Sequence, residues 1–107
     1  MKKIALSIAT VLASLTLLSS PLYASSAKGK IFYAKILKSP CGFTGELMGK
    51  KHTVSEWRDF YNTNKMNDVI KGYCPKAPLI TEEKDLTNLY HFLSSFASDS
   101  GNVPSCN

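Results

Sequence analysis

Met1–Ala24 decides how much chain is left to fold. Lys2 and Lys3, a fifteen-residue apolar run from Ile4 to Leu18, and the small-residue close over Ser19–Ala24 have the layout of a removable export leader. Cutting 24 of the 107 residues leaves 83, a chain that buries roughly 60% of the surface its unfolded form exposes. Residues 25–107 are therefore expected to make one small domain, and a disulfide, a prosthetic group or a partner would add to so small a core. The apolar run is broken by Ser7, Thr10, Ser14 and Thr16 and falls short of the roughly 20 residues that span a bilayer. No membrane span is expected after cleavage. No cysteine near Ala24 or the alternative cleavage point Ala27 invites a lipid anchor, so the expected product is a free, soluble exported chain.

Without Lys2 and Lys3 the thirteen basic residues fall to eleven against eight acidic ones, a formal charge of +3. Lys28, Lys30, Lys35, Lys38, Lys50 and Lys51 gather in the first half of the mature chain, enough to steer an acidic partner at low ionic strength. No arginine-lysine block or basic stripe interleaved with aromatics argues for nucleic acid. Cys41, Cys74 and Cys106 all lie in the exported part, where disulfides persist. Three is odd, so one bridge at most forms within the chain.

Periodicity predicts an all-α domain of about four helices. Residues 28–38 place Phe32, Tyr33, Ile36 and Leu37 on one stripe, and Ser39-Pro40 should end that helix because the residue before proline avoids the α region. Thr53-Val54-Ser55-Glu56 has the capping-box form and opens a helix with Val54, Trp57, Phe60 and Tyr61 toward the core. A short helix is predicted over 66–73, with Met66, Val69, Ile70 and Tyr73 inward and Gly72 near its end. The last runs for roughly 16 residues from an N-cap at Thr81, with Glu82, Glu83 and Asp85 at its positive end and Leu86, Leu89, Tyr90, Leu93, Phe96 and Ala97 as its apolar stripe.

Cys41-Gly42-Phe43-Thr44-Gly45 carries the chemically informative pattern. A c-type haem is held by C-x-x-C-H. This stretch keeps the first cysteine and has Thr44 and Gly45 where the second thiol and the imidazole would stand. The order of helix, cysteine loop, aromatic-bearing helix, short helix, X-Pro loop and long terminal helix resembles a class I cytochrome c. Gly29-Lys30-Ile31-Phe32-Tyr33 resembles that family's opening segment, Leu89-Tyr90-His91-Phe92-Leu93 its closing aromatic helix, and Cys74-Pro75 stands at its Met-Pro ligand step. Cys41–Gly45, Lys51-His52-Thr53, Glu56-Trp57 and residues 97–106 are also similar to small periplasmic cytochrome c-like proteins that share the missing motif.

The resemblance implies that the first and last helices pack against each other and that both haem-ligand positions are degenerate. It also implies that Phe43, Trp57, Phe60 and Tyr61 fill the crevice and that Cys41 and Cys74 face it, so that a Cys41–Cys74 disulfide would close a loop of roughly 33 residues. Pairings of Cys106 with Cys74 or Cys41 stay open. No cofactor is expected. The alternative is haem held by Cys41 alone or without a covalent bond, with His52 and either Met66 or Cys74 on the iron; His91 reads as a helix-surface histidine. The chain has no C-x-x-C dithiol, no zinc-ligand spacing and no G-x-S-x-G, and a Cys41/His52 nucleophilic pair would rest on proximity alone.

The expected function is that of a periplasmic accessory, docking with a periplasmic or membrane-bound redox protein of respiratory electron transfer rather than acting as an enzyme. The alternatives are a one-electron carrier with atypically held haem and a thiol-redox protein using its odd cysteine.

Overall fold

Lysines without a single acidic neighbour build the first helix, which starts earlier and ends later than its apolar stripe predicts. In the computed structural model, which describes residues 21–102, α1 covers Pro21–Phe32, passes into a π-helical turn at Tyr33–Leu37, and continues as α2 over Lys38–Cys41. Ser39-Pro40 does not end it. In the widened turn the Lys38 N–H reaches back five residues to the Tyr33 carbonyl, which moves the preceding carbonyls away from where the Pro40 ring would strike them. Pro40 then sits in the first turn of α2, where a missing N–H costs little. Gly42, at φ 82°, closes the helix by donating its N–H to the Lys38 carbonyl at 2.8 Å, a left-handed C-terminal stop that suits glycine.

A helix not expected from periodicity follows: α3, Gly45–Lys50, is capped by Thr44, whose hydroxyl accepts the Leu47 N–H. The capping box at Thr53 forms in both halves, Glu56 N–H to Thr53 Oγ1 at 3.1 Å and Thr53 N–H to Glu56 Oε1 at 2.9 Å, and opens α4, Val54–Asn62. Asn64 takes a left-handed φ of 60°, a conformation asparagine tolerates, and turns the chain into α5, Met66–Tyr73. The last helix, α6, runs Glu83–Ser95. Its N-cap is Glu82, with no side-chain cap bond, rather than Thr81; Glu83 and Asp85 still place negative charge at its positive end.

The fold is all-α, with no strand among the described residues, and the first helix packs along α6 in its most extensive contact. Three glycines explain how α6 comes so close. A Cβ on Gly29 would lie 2.7 Å from the Phe92 Cβ and against the Asn88 carbonyl; one on Gly45 would meet the Phe92 ring; one on Gly49 would lie 2.5 Å from the Leu93 carbonyl oxygen. Over these contacts lies a core of Tyr33, Leu37, Met48, Trp57, Ile70, Leu89, Phe92 and Leu93. Two stripe positions depart from expectation: Ile36 and Tyr73 are exposed, Ile36 because the widened turn rotates it off the face that Tyr33 and Leu37 share. Phe60 and Tyr61 are half-buried, leaving Trp57 as the fully buried aromatic of α4.

Side-chain clamps hold the connections. Asn67 bonds both the N–H and the carbonyl of Ile80, at 2.8 and 2.9 Å. The Tyr61 hydroxyl joins α4 to α6 through Thr87 Oγ1 at 2.7 Å. Beyond α6, the Ser98 N–H donates to the His52 carbonyl at 2.9 Å and Asp99 Oδ1 accepts the Val54 N–H at 2.8 Å, so the C-terminal segment caps α4.

Candidate functional site

Cys41 ends α2 and Cys74 caps α5, its N–H donating to the Ile70 carbonyl at 2.8 Å. The Gly42 stop and the end of α5 bring their Cα atoms to 4.8 Å, and the two sulfurs form a disulfide. Cys74 is fully buried and Cys41 half-buried. Among the three cysteines, Cys106 lies outside the described residues, as do residues 1–20 of the leader expected over Met1–Ala24.

His52 reaches the same end of the bundle through Tyr73, the residue before Cys74. Its Nε2 is 2.9 Å from the Tyr73 hydroxyl and its Nδ1 is 3.3 Å from Glu56 Oε1. The imidazole stands edge-on to Trp57 and Phe60, with ring centres 5.2 and 4.9 Å apart. The Thr53 backbone N–H, with help from the His52 ring nitrogen, holds the Glu56 carboxyl below the usual carboxylate range. Beside this group the Lys51 ammonium lies over two rings at once, 5.0 Å from the centre of Phe43 and 4.8 Å from that of Tyr73, a cation–π arrangement. Sequence reading counted Lys51 only in the basic cluster and in the Lys51-His52-Thr53 segment, and placed Tyr73 inward; the signal available was the position of Tyr73 next to Cys74.

The residues present do not fit a haem. Position 45, where the imidazole of the attachment motif would stand, has no room even for a methyl group: a Cβ there would lie 2.8 Å from Phe92 Cζ and 3.0 Å from Tyr33 Cγ. The sulfurs of Cys41 and Cys74 are joined to each other, which removes the thiol needed for a thioether and the thiolate considered for the iron. The Met66 thioether is buried in the packed core, and both His52 nitrogens already have partners. The interior on this side is filled by Met48, Trp57 and Phe92 rather than by the expected Phe43, Phe60 and Tyr61, which stay partly exposed. The Trp57 Nε1–H is satisfied by the Gly49 carbonyl at 2.8 Å.

His91 is half-buried on α6 beside Tyr90, their ring centres 5.1 Å apart. Among the described residues no group of three or more histidine, cysteine, aspartate or glutamate side chains could hold a metal ion, and no helix is long and apolar enough to cross a membrane. No family model, curated protein or solved structure matches this chain.

Proposed function

We propose that this chain is an exported, haem-free docking module of respiratory electron transfer, working in the periplasm through protein contacts rather than by carrying electrons. The observation that carries the reading is the closure of the haem-bearing end: the Cys41–Cys74 bridge ties up both sulfurs while Phe92 and Tyr33 close the space beside Gly45. The helix order that resembles a cytochrome c, without its ligands, and the lysine-rich first helix support recognition of an acidic redox protein. The electronic spectrum of the protein purified from the periplasm tests this directly. A colourless protein is the expected outcome. A Soret band with reduced α and β bands would replace the docking module with the electron carrier.

A further inference from the structure

From Met1 to Gly45 the sequence contains no aspartate or glutamate. The first helix accordingly presents Lys28, Lys30, Lys35 and Lys38 with no acidic residue of its own, and Ile31 and Ile36 on it are 54% and 40% exposed. These two side chains form one wall of a groove. The groove consists of two adjoining hollows that share Phe32, Ile36, Lys84 and Asp85; one is lined by Lys28, Ile31 and Lys35, the other by Leu79, 64% exposed, and Glu82. Lys28 and Lys35 lie along it, seven residues apart and so on the same helical face. Neither makes an ion pair among the described residues, whereas Lys30 on another side pairs with Glu46 at 3.8 Å. Ile36 is brought to this surface by the π turn, a distortion often found at functional sites.

We propose that this groove binds an acidic amphipathic helix of a partner protein. The partner's apolar stripe would rest on Ile31, Phe32, Ile36 and Leu79, and its flanking carboxylates would meet Lys28 and Lys35, Lys84 being paired with Glu82 at 4.0 Å. The proposal rests on the docking reading and names the surface and the partner class. Charge selects the occupant. A second copy of this chain would bring one all-basic helix against another, which like-charge repulsion opposes. An anionic bilayer would meet the lysines, but the surface is recessed, and a flat plane does not reach the apolar side chains inside it; a helix does, with its carboxylates placed toward Lys28 and Lys35 and away from Glu82 and Asp85.

The test uses the isotope-labelled exported protein and two synthetic helical peptides of roughly 14 residues, about four turns, both with leucine at i, i+3, i+4 and i+7. One carries glutamate and the other lysine at the flanking positions. Only the glutamate peptide should bind, shifting the amide signals around Lys28, Ile31, Ile36, Leu79 and Lys84. Ile36→Ser or Leu79→Ser, both at exposed positions, should weaken it about tenfold or more. The double reversal Lys28→Glu/Lys35→Glu should transfer binding to the lysine peptide, with an unchanged circular dichroism spectrum showing that the fold is retained. Equal binding of both peptides, shifts centred on Phe43, Lys51 and Tyr73, a concentration-dependent dimer covering the groove, or stronger protection of the same amides by phosphatidylglycerol vesicles would each overturn the proposal. A colourless protein whose groove stays idle would remove this proposal alone, whereas a Soret band would remove the docking reading.

Discussion

Tyr33 shows how one side chain joins local distortion to global stability. The π turn aims it inward, its hydroxyl donates to the Phe43 carbonyl at 3.0 Å, and burial, with the Glu46 carboxylate adding to it, pushes its ionisation up to about 12. A raised value means that the folded state keeps the proton after the unfolded chain has released it near pH 10. The stability this contributes is whole below pH 10 and is lost as the pH rises toward 12. Ultraviolet titration should find one late-ionising tyrosine that disappears in Tyr33→Phe, and the variant's unfolding free energy should fall less steeply across that interval. Trp57 makes a comparable double demand, filling the core and satisfying the Gly49 carbonyl. Trp57→Phe leaves that carbonyl with only its long backbone bond from the His52 N–H at 3.4 Å and a gap beside it, for an expected loss of about 1–3 kcal/mol in urea unfolding. The aromatic at 57 was readable from its place in an amphipathic helix, but its partner on α3 was not, because α3 has no apolar periodicity to announce it.

Glycines separate helices that must touch from helices that need not. Gly29 lies where the first helix meets α6, and a Cβ there strikes the backbone of Asn88, which cannot rotate away. Gly29→Ala should therefore destabilise by about 2 kcal/mol or more, since overpacking outweighs the roughly 1 kcal/mol that alanine gains in a helix. Gly72, inside α5, has open space around its missing Cβ. Gly72→Ala should stabilise by about 0.5–1 kcal/mol. Thermal unfolding of the two variants compares opposite signs from one chemical change. Sequence alone assigns both glycines weak helix-forming character, and only the neighbour across the crossing distinguishes them. The capping box of α4 was legible because Thr53 and Glu56 carry their own partners within four residues. The passage of the first helix through Pro40 was not, because it depends on a widened turn at Tyr33–Leu37 that no periodicity announces.

Over the whole molecule, the Cys41–Cys74 bridge spans 33 residues of sequence and joins the end of the first helix to the end of α5. In the chain-entropy account a loop of that length contributes about 3–4 kcal/mol by restricting the unfolded chain. That is a large share of the stability of a domain this small. Cys41→Ser/Cys74→Ser should lower the urea midpoint by a corresponding amount, and in a Cys106→Ser background reductant should have the same effect on the parent; an unmoved midpoint in both measurements would show that the bridge contributes no stability. Amphipathic period and a reciprocal cap act over a few residues, so they could be read directly as helices and a boundary. Which glycines admit α6, which stripe residue is left outside, and which rings occupy the interior depend on contacts between segments distant in the chain. No local pattern encodes those distances, and they determine both the closed end at Gly45 and the lysine-walled groove on the opposite helix.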